Sequence, residues 1–136
     1  RSSDLRHFEF RFPKRSHVVV HGKVSHRETA RVYKEHALSI NVNSVTGSET
    51  MFSRRLVEIL ACGSIAVTNP SRAIDKYFRD YCHVVTTREE ARELFLRLKS
   101  GPSRTDLERA EAGARYVRGA HTWEHRLAEI CEIANI

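Results

Sequence analysis

An α/β fold with a mostly parallel, doubly wound sheet is predicted by three observations. Apolar runs without polar alternation recur at Val18-Val19-Val20, Ala37-Leu38-Ser39-Ile40-Asn41-Val42 and Ile65-Ala66-Val67, with a weaker run at 82–86. Such runs mark strands covered on both faces, the habit of parallel sheets. Between them lie amphipathic helical stretches with start signals, and strand–helix alternation at this spacing implies βαβ units. The 136 residues fit one domain, and a composition 40% apolar and 29% charged is that of an ordinary globular chain.

Each element has its own signal. Residues 1–15 form a charged lead-in, within which His7-Phe8-Glu9-Phe10-Arg11-Phe12 alternates as a short strand would until Pro13 cuts it off. Ser25-x-x-Glu28 is a capping box opening a helix to about residue 36. A helix over 52–62 carries the apolar stripe Phe52, Leu56, Ile59 and Leu60, with Gly63 as its left-handed stop. A short helix is expected over 73–81, with Ser71 as cap. Thr87-x-x-Glu90 opens another, with Ala91, Leu94, Phe95 and Leu98 on one face and Gly101-Pro102 at its end. From residue 103 onward there are only two helical patterns, Leu107/Ala110/Ala114/Val117 stopping at Gly119, and Trp123/Leu127/Ile130/Ala134. These C-terminal helices are expected to pack across the sheet, so 1–136 is read as a single unit.

Composition narrows the function. No apolar run approaches the ~20 residues that span a bilayer, and the charged start carries no signal-peptide pattern. Cys62, Cys82 and Cys131 are widely spaced without a C-x-x-C, which indicates neither a disulfide framework nor a zinc site. Each sits in an apolar stretch where a free cysteine behaves as a small buried hydrophobe, and a reduced, cytoplasmic setting is expected. The formal charge of +6 points to an anionic partner: nucleic acid, a nucleoside diphosphate or an anionic membrane surface. The basic residues are spread, with short clusters at 11–15 and at Arg54-Arg55, and no nucleic-acid-binding signature is present, which disfavours nucleic acid. A salt-dependent gel shift with generic duplex discriminates that rival.

The loop Asn43-Ser44-Val45-Thr46-Gly47-Ser48-Glu49-Thr50 lies after the carboxyl end of one predicted strand and before a helix start. Open α/β sheets bind ligands there, and free N–H groups at a helix start favour phosphate. Arg54 and Arg55 in the first turn oppose the helix dipole unless an anion sits beside them. Glu58, four residues after Arg54 and three after Arg55, can share their face. That spacing suits either a surface ion pair or arginines on phosphate with Glu58 on a ribose diol. His21 and His121 are read as structural or solvated, with His121 capping the last helix or packing beside Trp123. No Ser/His/Asp arrangement and no metal-ligand cluster is supported, so catalytic residues stay unassigned and no metal or cofactor is expected.

The segment Arg55-Leu-Val-Glu-Ile-Leu-Ala-Cys-Gly-Ser-Ile-Ala-Val-Thr68 resembles the R-x-x-E-x-x-A-C-G-x-x-x-V-T stretch of group 1 glycosyltransferases, especially their spore-maturation-type branch. Val18-Val-Val-His-Gly-Lys-Val24 resembles the family's strand–Gly–Val turn, and Ala112-Gly-Ala-Arg-Tyr-Val117 with His121-Thr-Trp-Glu-His-Arg126 its closing tail. The resemblance implies a Rossmann-like lobe, the donor-binding C-terminal half of a two-lobe (GT-B) enzyme, binding a nucleoside-diphosphate sugar for transfer to an unknown acceptor, without bound metal and with retention. It implies that Glu58 holds the donor ribose, that the backbone N–H groups of Ser53 and Arg54 meet the diphosphate, that Arg55 steadies its charge, and that Gly22, Lys23 and Val24 lie near the base. A first family glutamate is expected where Thr50 stands, with Glu49 one residue early, which leaves the sugar contacts open. The lobe is expected to be incomplete, with the acceptor lobe or preceding strands supplied from elsewhere and with 18–20 and the strand at Leu38 not pairing directly in a complete lobe. A non-catalytic module that keeps the fold is the principal rival.

Overall fold

The computed structural model describes residues 19 and 21–136. The strands expected at 7–12 and 18–20 therefore lie outside the described residues, Val19 apart, and with them the relation of 18–20 to the strand at Leu38.

Three parallel strands form the sheet in the order β1 (Leu38–Asn41), β2 (Ile65–Thr68), β3 (His83–Val84). Leu38 pairs with Ile65 and Asn41 with Thr68, while Val67 faces His83. All four residues of β2 are buried, as its unbroken apolar run requires. β1 departs from the expectation of two covered faces: Ile40 is 55% and Val42 62% exposed. The physical reason is helix coverage: on the face that Ile40 shares with Leu38, packing by Leu98 and Ala110 reaches Leu38 and stops short of Ile40. β3 is shorter than 82–86 because the chain is diverted after it. Val85 N–H still donates to Thr68 O, but Thr86 N–H and Thr87 N–H donate to the Glu90 carboxylate, which draws the chain into a helix cap.

Helices α1 (His26–Glu35), α2 (Arg54–Ala61), α3 (Arg72–Tyr77), α4 (Arg88–Lys99), α5 (Arg104–Ala120) and α6 (Trp123–Ala134) surround it. The capping boxes at Ser25/Glu28 and Thr87/Glu90 both form. Helix α2 begins two residues later than its apolar stripe suggests, because Ser53 takes the cap and its hydroxyl accepts Arg55 N–H at 3.2 Å. Phe52 stays outside the helix and meets Phe78 edge-on, ring centroids 4.8 Å apart. Gly63 closes the turn after α2 at φ +70°, where a side chain would be strained. The stretch 73–81 divides at Phe78, a fully buried ring, into α3 and a 3₁₀ turn, Arg79–Tyr81.

The core gathers Leu56, Ile59 and Leu60 of α2, Ala66 of β2, Ile74 of α3, Phe78, Cys82 and Val117 of α5. Helix α5 crosses α2 closely at Gly113, where an added Cβ would stand 3.0 Å from the Leu60 side chain and 3.2 Å from Tyr81 Cβ. It runs through Gly119 and ends at His121, whose N–H donates to Val117 O. Helix α6 is capped by Thr122 and not by His121, and it buries no residue. Of the two C-terminal helices, only α5 packs across the sheet domain as expected; the stripe Trp123, Leu127 and Ile130 faces outward. The cysteines divide likewise: Cys82 is buried, Cys62 partly buried and Cys131, on α6, exposed. No helix among the described residues is long and apolar enough to cross a membrane.

Candidate functional site

At the carboxyl end of β1 and β2 the ladder continues through side chains. Asn69 Oδ1 accepts the Asn43 N–H at 2.7 Å and Asn69 Nδ2 donates to Asn43 O at 3.1 Å, so one carboxamide supplies a rung beyond the last strand pair. Asn43 Nδ2 donates to Thr68 Oγ1 at 2.9 Å and to Asn69 O at 3.0 Å, and Asn41 Nδ2 to Asn43 Oδ1 and Thr68 Oγ1. Asn41 and Asn43 are buried, and buried amides need such partners. This network fixes where the loop leaves the sheet. It is absent from the sequence reading, although three asparagines and a threonine at strand ends were its visible signal.

The loop is also held from below. Arg72 N–H donates to Thr46 O at 2.9 Å, and Glu49 forms ion pairs with Arg72 and Lys76 of α3. Thr50 N–H and Met51 N–H donate to Ser48 Oγ. Glu49 is thus directed toward α3, and Thr50 is tied into the turn. Between this loop and the start of α2 lies a cavity of about 250 Å³, lined by Asn43, Ser44, Val45, Met51, Phe52 and Ser53 among others. Neither Ser53 N–H nor Arg54 N–H meets an acceptor among the described residues, so the α2 N-terminus offers two free donors at the cavity's edge.

A second, larger hollow of about 610 Å³ runs along the outer face of α2. Arg54, Val57, Glu58 and Ala61 form one wall; the end of α5 and the first turn of α6, with Trp123 and Arg126, form the other, and His26 of α1 closes it. Phe52 lines both spaces. Glu58 is bonded to Arg54, Oε1 to Nε 3.0 Å, with Glu58 26% and Arg54 77% exposed. Arg55 points elsewhere: its charge acts on Tyr33 of α1, whose phenol is pushed above its ordinary value by burial and by Glu58, with Arg55 opposing. Gly22, Lys23 and Val24 are exposed in the lead-in to α1. The structure therefore brings Ser53, Arg54 and Glu58 together, while Arg55 lies toward Tyr33 and Glu49 toward α3.

His121 packs its ring against Phe52, Tyr77, Phe78 and Tyr116, not chiefly beside Trp123. Burial, helped by Arg126 and His125, lowers its proton affinity, so it is a neutral ring in the wall of the groove. Among the described residues no group of three His, Cys, Asp or Glu side chains is placed to hold a metal ion.

The α2 start thus sets free N–H donors at the carboxyl end of parallel strands, with an acid one turn on. A family model described as glycosyl transferase-like matches residues 3–132. The chain belongs to the glycosyl transferase-like family. No curated protein and no solved structure gives a significant match. Within the family assignment the parallel sheet and flanking helices form a Rossmann-like arrangement, small at three strands.

A separate polar cluster buttresses the far side. Asp106, 4% exposed, accepts from Arg97 at 2.5 and 2.9 Å and from Ser103 N–H and Oγ. These bonds, Arg97's first, hold its carboxyl far below the usual carboxylate range. Arg109 donates to His83 Nδ1 at 3.1 Å, which leaves the proton on Nε2, 2.9 Å from Asp106 Oδ1. Burial and then Arg109 lower the proton affinity of His83, as that neutral tautomer requires. The cluster joins β3, α4 and α5 and is structural.

Proposed function

We propose that the chain is the donor-binding lobe of a two-lobe (GT-B) glycosyltransferase, of the spore-maturation-type branch, and that it holds a nucleoside-diphosphate sugar. The supporting observation is the nearness of three features at the start of α2: the loop cavity, the free Ser53 and Arg54 N–H groups, and Glu58 in the groove. The sugar takes the loop cavity, the diphosphate the α2 N-terminus, and the ribose diol the Glu58 carboxylate. Arg54, now on Glu58, swings to the diphosphate at small cost, since an exposed i, i+4 pair contributes only about 0.3–0.5 kcal/mol. As the glycosyl bond breaks, charge grows on the departing diphosphate. The helix-start donors are already aimed at it, Arg54 joins them once it swings, and Arg55, turned toward Tyr33, adds its charge at longer range. Basic side chains and N–H groups thereby take the place of a metal. The resemblance to group 1 glycosyltransferases suggests retention of configuration, and in a two-lobe enzyme the acceptor contacts come from the other lobe.

A panel of UDP, GDP, ADP, dTDP and CDP in a thermal-shift assay tests this, because binding to the folded state raises the melting temperature. At least one is expected to do so. No shift and no calorimetric heat with any of the five would remove the nucleotide reading. The second reading, a binding module without transfer, is favoured by one observation: Glu49 is engaged with Arg72 and Lys76, and Thr50 stands where a sugar-binding acid is expected. Donor hydrolysis by the longest available chain separates the two.

A further inference from the structure

The loop cavity beside the α2 start offers a ligand few polar side-chain atoms. Val42, Val45, Met51 and Phe52 turn apolar side chains to it, and three of them are well exposed: Val42 at 62%, Met51 at 56% and Val45 at 44%. Exposed apolar side chains gathered round one hollow mark a place where apolar ligand surface belongs. Most polar groups of the wall are already engaged. Asn43 has its Oδ1 on Asn41, its Nδ2 on Thr68 and Asn69, and its backbone N–H and C=O on the Asn69 carboxamide. Ser53 Oγ accepts the Arg55 N–H. Among the described residues no charged side chain lines the cavity, because the loop's one acid, Glu49, is held by Arg72 and Lys76 of α3.

Resting on the nucleoside-diphosphate-sugar reading, we infer that the sugar this cavity takes is a neutral 6-deoxyhexose, and that Val45 and Met51 select it. A hexose joined through its anomeric carbon to a phosphate at Ser53 holds its far side, C6 included, away from the helix start and among the loop side chains. A C6 hydroxyl set against Val45 and Met51 gives up its water and finds no partner. A C6 methyl gains from the same contact. The other common substituents fit less well. A uronate carboxylate or a ring amine meets no opposite charge here, and an acetamido group meets an amide, Asn43, whose own bonds are complete. The remaining ring hydroxyls are served by Ser44 Oγ and by the Ser44 and Val45 N–H groups, which have no partner among the described residues. Selection of this kind is bounded, because apolar walls discriminate against one added hydroxyl by only about 10- to 100-fold.

Donor pairs that differ by one oxygen test this on the intact chain. UDP-glucose is compared by calorimetry with UDP-6-deoxyglucose, GDP-mannose with GDP-6-deoxymannose, and the dTDP, ADP and CDP glucose donors with their 6-deoxy forms. With the base that the chain accepts, the 6-deoxy donor is expected to bind about 10- to 100-fold more tightly than its partner. Val45→Thr combined with Met51→Gln places polar groups on the wall at exposed positions, so the fold is kept. This variant is expected to bring the preference below about threefold while affinity for the bare nucleoside diphosphate stays unchanged. A loop merely loosened by the substitutions would weaken both members of a pair alike and leave their ratio where it was; an unmoved ratio therefore overturns Val45 and Met51 as its source. A nucleoside diphosphate that binds while its two donors bind equally, in the opposite order or not at all overturns the 6-deoxyhexose and leaves the nucleotide reading standing. Absence of binding by every diphosphate and every donor overturns both.

Discussion

Replacing Glu58 by alanine separates a binding role from a structural one, because the structure makes the two magnitudes differ. In the free protein the carboxylate has one partner, Arg54 at 3.0 Å, and that arginine is 77% exposed. An exposed i, i+4 pair of this kind contributes about 0.3–0.5 kcal/mol. Alanine returns part of this through its helix propensity, so stability changes by less than about 0.5 kcal/mol. For a domain of this size that is a shift of only about 2–3 °C in melting temperature. A carboxylate accepting from a ribose diol makes hydrogen bonds to a charged group, of about 1.5–3 kcal/mol. Its loss is expected to weaken a nucleoside diphosphate about 10- to 100-fold, measured by calorimetry. Glu58→Gln is expected to fall between, keeping the shape and one acceptor. Unchanged affinity in Glu58→Ala refutes the ribose role; a melting point lowered by 10 °C or more refutes the premise that Glu58 is structurally idle.

Three further outcomes follow from the same structure. Arg55→Ala is expected to reduce affinity for a nucleoside diphosphate more than for the bare nucleoside, since its charge adds to the α2 start; equal losses in calorimetry would place its effect in the α1 contact with Tyr33. Gly119→Ala, with nothing within 4 Å of the new Cβ, is expected to raise stability by up to about 1 kcal/mol, while Gly113→Ala lowers it by about 1 kcal/mol through contact with Leu60 and Tyr81, both read by urea unfolding. Asp106 has a folded-state proton affinity below its unfolded one, so its contribution is present above about pH 4 and lost as pH falls further. The stability gap between the parent and Asp106→Asn is therefore expected to narrow below about pH 4, and a gap constant from pH 7 to pH 2 would contradict the Arg97 and Ser103 bonding.

What was legible in the sequence was whatever local chemistry decides. The capping boxes at Ser25 and Thr87, the stop at Gly63 and the buried run of β2 depend on residues a few positions apart, and all appear where expected. The exposure of β1 was not legible, because a run of apolar residues does not say how far the helices packed on its face extend along it. Nor was the outward face of α6, whose stripe Trp123, Leu127 and Ile130 has the periodicity of a buried one. At the site, the α2 start and the Arg54–Glu58 pair followed from spacing. Arg55 did not, since its direction is set by where α1 lies, a tertiary fact. The Asn43–Asn69 rung spans 26 residues of sequence and becomes visible only once β1 and β2 are side by side.

That rung has a consequence for how the site can vary. A strand ladder is built from groups every residue carries, so sequence changes pass through it unnoticed. Here the last tie is made by one side chain, and at the other end the chain is received by the Ser53 hydroxyl. The stretch from 44 to 51 thus runs between two sequence-specific clasps, with a further hold from α3 at Thr46 and Glu49. Exposed residues in it that make no such tie, Val45 for one, can be exchanged with the strands and α2 left in place. A chain so constructed can alter the lining of its loop cavity by changing such positions, provided that Asn69 and Ser53 are kept.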